Sequence, residues 1–232
     1  MKIGLFTDSH YSSQSLTCGR RYNSESLRKI KEAYEYFKKE KADLVICLGD
    51  ITDTEDTKEK EIENLSEIRE VMDAFAIKTY ILMGNHDAFT FTEEEFYFHL
   101  GEDKKPKDGE GLIFVDACYF KDGRRYMPGD FDWEDTFYPY ADELSKKLSS
   151  ADEGTLIFMH QNTDGNLPSD HRLSNDREIR KILEDSKKVK AVYQGHFHPG
   201  AENETEGIKY ITLPAMCENE GSYFMIDTEE NL

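Results

Sequence analysis

Asp43-Leu44-Val45-Ile46-Cys47-Leu48-Gly49-Asp50-Ile51-Thr52-Asp53 decides the fold. Leu44 to Leu48 is an unbroken apolar run, the pattern of a strand buried on both faces. The chain then turns at Gly49 and presents a carboxylate, Asp50, at the strand's carboxyl end. The same grammar recurs on either side. Lys2 to Thr7 reads as a buried strand followed by Asp8 and His10. Thr79 to Met83 runs into Gly84-Asn85-His86-Asp87, Thr155 to Met159 into His160, and Ala191 to Gln194 into Gly195-His196-Phe197-His198.

Helical stretches separate these strands. Leu27, Ile30, Tyr34 and Phe37 share a face behind Asn23 or Ser24 as the cap. Ile62, Leu65, Ile68, Met72 and Phe75 do so across Glu61 to Phe75, and Thr92 caps a short helix bearing Phe96 and Leu100. Further helices are expected near Ala141 to Leu148 and Asp176 to Leu183. Leu112 to Tyr119 adds another strand, and Ile208 to Leu213 and Tyr223 to Ile226 are expected as closing antiparallel strands. The alternation specifies an α/β fold. No repeat or Pro/Gly/Ser-rich linker divides the chain, so residues 1–232 are expected to form a single domain, with Glu102 to Gly111 and Lys121 to Asp135 as loops or lids.

Composition narrows the function. The 232 residues carry a formal net charge of -19, which argues against long nucleic acid, whose binding draws on Lys and Arg against phosphates. The opening Met1 to Phe6 is too short an apolar run for a signal peptide, and no stretch approaches the roughly 20 apolar residues that span a bilayer. A cytoplasmic protein without a membrane partner is therefore expected. Cys18, Cys47, Cys118 and Cys217 form no CxxC pair and read as reduced structural thiols.

In open α/β sheets, ligands collect outside the carboxyl ends of the strands. Five strand ends here carry Asp, Asn and His, and five of the seven histidines fall at them. Asp8-Ser9-His10 and His196-Phe197-His198 each place two donors at alternate positions, on the same side of an extended segment. Carboxylate, amide and imidazole donors suit Mn, Fe or Zn better than an all-oxygen calcium site. Taken singly, Asn85 is as readily a turn residue, Asp87 a helix cap, and Gly49, Gly84 and Gly195 tight turns.

The ordered set Asp8-Ser9-His10, Gly49-Asp50-Ile51-Thr52-Asp53, Gly84-Asn85-His86-Asp87, His160 and Gly195-His196-Phe197-His198 resembles the calcineurin-like metallophosphoesterases over nearly the whole chain. The resemblance implies a four-layer α/β/β/α sandwich with the metal site at the carboxyl ends of the strands. It implies Asp8, His10, Asp50 and His198 around one ion, and Asp50, Asn85, His160 and His196 around a second, with Asp50 bridging. It also implies a hydroxide between the two ions as nucleophile, His86 supporting the leaving oxygen, and Asp53 orienting the His86 ring.

Outside the motifs, Arg20 and Arg21 lie just beyond Asp8-Ser9-His10 and are candidates for clamping a substrate phosphate, or for pairing with carboxylates of the acidic surface. Phe131, Trp133, Phe137, Tyr138 and Tyr140 would cover the site or pack a long loop. His99 reads as a surface residue, His171 as a residue of a polar loop outside the site, and Thr57 to Glu63 and Glu93 to Glu95 as solvated helix faces and capping carboxylates. The expectation is a metal-dependent hydrolase acting on a small phosphorylated molecule, with a phosphodiester or nucleotide favoured. A phosphomonoesterase is the alternative, and a non-catalytic scaffold of the same fold or a structural metal protein the rival.

Overall fold

The computed structural model describes residues 1–130 and 137–229; Phe131 and Trp133 lie outside them. In chain order the elements are β1 (Lys2–Phe6), α1 (Ser26–Lys39), β2 (Leu44–Cys47), α2 (Lys58–Asp73), β3 (Thr79–Ile81), α3 (Asn85–Thr90), α4 (Glu93–Leu100) and β4 (Leu112–Val115). They continue with α5 (Ala141–Ser149), β5 (Thr155–Met159), α6 (Asp176–Ser186), β6 (Val189–Gln194), β7 (Ala201–Thr205), β8 (Ile208–Thr212) and β9 (Phe224–Asp227).

The strands form two sheets, ordered β3-β2-β1-β9 and β4-β5-β6-β8-β7. Pairing is parallel except for β9 against β1 and β7 against β8. Alternation along the strands assigns the faces. Ile3, Leu5, Leu44, Ile46 and Leu48 of the first sheet meet Leu112, Phe114, Leu156, Phe158, Ala191 and Tyr193 of the second in a shared core. The opposite faces, Phe6, Val45, Cys47 and Ile81 on one sheet and Ile113, Ile157, Met159 and Val192 on the other, are covered by helices. Helices α1, α2 and α4 neighbour one another along the first sheet, and α5 and α6 along the second. The result is the four-layer α/β/β/α sandwich. Each fully buried Leu or Ile in these layers contributes roughly 1.5–3 kcal/mol. Gly4 is the one position in β1 that cannot carry a side chain, because a Cβ would stand 2.6 Å from Phe37 Cδ1 where α1 lies on the sheet.

Three expectations need correction, and one strand, β7, answers to no expectation. Neither Asn23 nor Ser24 caps α1; residues Asn23–Glu25 form a separate 3-10 turn, and the Asn23 amide is spent on His10 O and Asp53. The Thr57 to Glu63 stretch is not simply a solvated face. Thr57 caps α2 through Lys60 N, and Glu61 is buried, accepting from Glu55 N. Ile208–Thr212 pairs antiparallel only with β7; against β6 it is parallel. Strand β7, with the polar sequence AENET, carries no apolar alternation because it is a sheet edge facing water, joined to β8 through Glu206 and Gly207, both at positive φ. Thr92 does cap α4, in a reciprocal box with Glu95. Among the described residues no helix is long and apolar enough to cross a membrane.

Candidate metal centre

The carboxyl ends of β1, β2, β5 and β6 and the start of α3 converge at one end of the sandwich. Asp8, His10, Asp50 and His196 all adopt left-handed backbone, with φ of 51°, 44°, 50° and 63°. Such conformations cost about 1–3 kcal/mol each for residues with a Cβ and persist where the surroundings enforce them. Enforcement here is a ladder of backbone bonds: Asp8 N to Gly49 O, His10 N to Asp50 O, and Gly195 N to His160 O, all within 3.0 Å. Three motif glycines are required by close approach; a Cβ at Gly49, itself at φ of 111°, would stand 2.8 Å from Gly84 N. A Cβ at Gly84 would collide with Asp50 Oδ1, and one at Gly195 with Thr7 Oγ1 and Asp8 Oδ2.

These constraints bring the imidazoles and carboxylates into contact. His10 Nε2 lies 3.2 Å from His198 Nε2 and 3.7 Å from both Asp8 Oδ1 and Asp50 Oδ2. His198 Nε2 is 3.5 Å from Asp8 Oδ1, and His160 Nε2 is 3.1 Å from Asp50 Oδ2. Asp50, His160 and His196 offer donor atoms that all lie within 4.8 Å of one another, as do those of His10, Asp50 and His86. Asp50 therefore stands between two groups. Asn85 is buried at the first residue of α3 and borders the same space.

Four of these side chains, Asp8, Asp50, His160 and His198, are aimed by their other polar atom. Asp8 Oδ2 accepts from Thr7 Oγ1 at 2.6 Å and His196 N at 3.0 Å. Asp50 Oδ1 accepts from His86 N at 2.8 Å. His160 directs Nδ1 to Leu48 O at 2.9 Å, and His198 directs Nδ1 to Glu218, which leaves Nε2 of each ring facing inward, as ligating histidines are commonly held. Asp87 ties the turn together, accepting from Gly84 N, Ile51 N and Thr52 N. It is thus both the α3 cap and a brace for the loop after Asp50.

Asp8 Oδ1, Asn85 Oδ1, His160 Nε2 and His196 Nε2 are buried and have no hydrogen-bond partner among the described residues. Leaving such atoms unsatisfied is costly, and a pair of cations would satisfy all four. Nitrogen and carboxylate donors around a shared Asp50 thus fit the two ions implied by the motifs.

Electrostatics agree. Burial favours the neutral acid at Asp50, but the charges of His160 and His86 outweigh it and hold the carboxyl far below the carboxylate range; Asp8 is lowered against its burial chiefly by His160. His160 is pushed up to about 9, burial opposing and Asp50 and Asp8 prevailing. His196 is lowered to about 3 by burial and then by His160.

A cavity of about 320 Å³ opens on this cluster, bordered by Arg20, Arg21, Asp50, Asn85, His86, His171, His196 and His198, among others. Arg21 is held against Asp53 at 3.4 Å, and Arg20, whose side chain is 60% exposed, against Glu218 at 3.0 Å. Both arginines therefore pair with carboxylates and border the cavity. His86 Nδ1 is 3.0 Å from Asp53 Oδ1, with the ring one-quarter exposed. Of the aromatic set, Phe137 sits against His196, with ring centroids 5.4 Å apart, while Tyr140 packs on Tyr119. His171 lies beside His196 and Phe197, and His99 stays at the end of α4, outside the site. Glu218, Asn23 and Cys217 belong to the site without any sequence motif. They follow no apolar strand in register with the others, and only the tertiary fold brings them in.

Comparisons with known proteins bear on the family and the fold. A family model described as calcineurin-like phosphoesterase matches residues 1–200. A stretch of 80 residues is 30% identical to the 3',5'-cyclic adenosine monophosphate phosphodiesterase CpdA of Haemophilus influenzae, spanning 32% of this chain but only 29% of that relative's length. A dimetal phosphatase from Danio rerio superposes with a TM-score of 0.77 at 19% identity, covering 94% of this chain and 88% of its own. GAP50, the anchor in the inner membrane complex of Plasmodium, gives 0.60 at 13% identity over 97% and 77% of the two chains. At these identities the structural likenesses speak for the fold alone.

Proposed function

This chain belongs to the calcineurin-like phosphoesterase family, and from that premise we propose that it hydrolyses a phosphodiester or nucleotide-type small molecule with two bound metal ions. It is a phosphoric ester hydrolase by family; the substrate class and the role of each residue are our reading. The observation that carries it is the set of buried, unpartnered donor atoms on Asp8, Asn85, His160 and His196, of which Asn85 and His196 border a cavity that two arginines also border. Residues 1–232 are taken as one domain.

Asp8, His10, Asp50 and His198 would hold one ion, and Asp50, Asn85, His160 and His196 the other. When bound, two such ions supply a nucleophile generated from water near neutral pH and neutralise charge on the phosphoryl oxygens. Mn, Fe or Zn suits these donors. His86 holds its Nδ1 proton toward Asp53 and presents Nε2 to the cavity, where it can deliver a proton to the departing oxygen. Arg21, pinned by Asp53, and the more exposed Arg20 supply positive charge at the cavity edge of a protein that is otherwise strongly acidic, which favours a substrate with phosphate oxygens beyond the scissile bond. Bound metals and these two guanidiniums offset the charge of -19 locally.

The test is hydrolysis of bis-p-nitrophenyl phosphate and p-nitrophenyl phosphate by metal-stripped protein, with Mn, Fe, Zn or Mg restored in turn. Metal-dependent release that is lost in Asp50→Asn is expected, with the diester preferred. Preference for the monoester would transfer the assignment to a phosphomonoesterase. Two ions bound without turnover on any phosphoester would point to a binding role instead.

A further inference from the structure

Residues 215–217 run between two ligand-bearing strand ends. Ala215 N donates to His198 O, Met216 N to Thr7 O and Cys217 N to Asp8 O, each at 3.0 Å. The Cys217 carbonyl accepts from Tyr22 N at 3.0 Å and from the buried Lys29 Nζ at 3.3 Å. The peptide is therefore pinned on both sides, and its side chain is wholly buried. Cys217 Sγ, one ring nitrogen of His10 and one of His198 all lie within 4.8 Å of one another. The fully buried, unpartnered Asp8 Oδ1 faces the same point, 3.7 Å from His10 Nε2 and 3.5 Å from His198 Nε2. The Cys47 thiol lies in the core layer with Phe6, Val45 and Ile81 and joins no cluster of metal-ligating groups among the described residues; this one sits against two imidazoles.

We infer that Cys217 is a thiolate ligand of the ion held by Asp8, His10 and His198. The inference rests on the two-metal reading above and deepens it. Coordination displaces the thiol proton to solvent. A sulfur donor makes this position thiophilic, favouring zinc or iron. The Asn85, His160 and His196 position, with oxygen and nitrogen donors, suits manganese. The centre is thus asymmetric, with different ions preferred at its two halves. The four cysteines read as structural thiols from sequence because nothing in the spacing joins Cys217 to the histidines.

Cobalt substitution tests this without reference to turnover. Cobalt-loaded wild-type protein is expected to show a near-ultraviolet sulfur-to-cobalt charge-transfer band. The band should vanish in Cys217→Ser while the weaker ligand-field bands persist, and survive in Cys18→Ser, at the exposed thiol of the neighbouring turn. Zinc affinity should fall at least about tenfold in Cys217→Ser, with manganese affinity at the other position changed less. Cobalt bound to wild-type protein without the band, or with a band indifferent to Cys217→Ser, overturns the cysteine ligand alone. Failure to bind cobalt at all overturns the metal centre with it.

Discussion

His86 Nδ1 lies 3.0 Å from Asp53 Oδ1, and the other oxygen of that carboxylate accepts from Asn23 Nδ2 at 2.9 Å. The ring is therefore oriented by an acid that is itself anchored. In the metal-free protein burial works against the imidazolium, but Asp50 and then Asp53 outweigh it and raise His86 above its ordinary value, and Asp53 still supports the imidazolium once Asp50 is shared with the ions. The proton-donating form is the one below the His86 pKa, so turnover on a poor leaving group should decline as pH rises through it. His86→Asn should cut such turnover by about 10²–10⁴ with metal content intact, and scarcely affect an activated ester. Asp53→Asn should move the alkaline limb of the kcat profile to lower pH. An unmoved limb, or unchanged turnover of the poor leaving group in His86→Asn, refutes the assignment.

Gly84 gives a steric prediction. A Cβ there meets the Asp50 carboxylate, the group shared by both donor sets. Gly84→Ala should leave the circular dichroism of the sandwich in place, since the turn lies outside both sheets. It should lower the metal bound per chain below that of the parent and reduce turnover by at least about tenfold. Full metal occupancy with parental turnover would show that Asp50 has room to move.

The strand-end residues were legible because a parallel strand buried on both faces writes a continuous apolar run, and the first polar residue after it marks a sheet end. That reasoning located Asp8, His10, Asp50, Asn85, His160, His196 and His198, which the structure brings into one cluster. It failed for Ala201–Thr205, an edge strand whose exposed pairing needs no apolar residues. It failed for the start of α2 at Lys58, hidden because Thr57 sits in a run of charge. Glu218 and Asn23 were beyond it altogether. Each acts on side chains from other parts of the chain, Glu218 on His198 and Arg20 and Asn23 on Asp53, and such contacts leave no period in the sequence.

Lys29 illustrates the same limit and carries its own prediction. Buried on α1, it donates to the carbonyls of Met216, Cys217 and Asn219 at 3.0, 3.3 and 3.2 Å. It thereby holds the loop that bears Glu218 and so orients His198. Lys29→Met removes a charged donor from three carbonyls, of which Cys217 O keeps Tyr22 N and Met216 O keeps Asn219 N, and should cost about 2 kcal/mol in urea unfolding. Glu218→Gln should be nearly neutral in the same assay yet weaken metal binding by about 10–100-fold. Equal stability losses in the two variants, with metal affinity unchanged, would reduce Glu218 to a surface partner of Arg20.

Metal binding should also be linked to pH through His160. In the metal-free protein, burial opposes the imidazolium, but Asp50, whose Oδ2 is 3.1 Å from Nε2, and Asp8 push the group up to about 9. A raised histidine contributes stability that is fully present below the unfolded value of about 6.5 and is lost as pH rises through about 9. Chelator-treated protein should accordingly lose part of its stability on that alkaline rise. The ion, however, needs the same Nε2 unprotonated. Below about pH 9 it must expel the proton, so apparent affinity should climb by about tenfold per pH unit toward that value and then flatten. Calorimetric titration of the Cys217→Ser variant in two buffers of different ionisation enthalpy reads the proton without a contribution from the thiol. A heat of binding independent of buffer at neutral pH would mean that His160 enters the centre already neutral, leaving Asp50 the one charged member of the pair in the free protein.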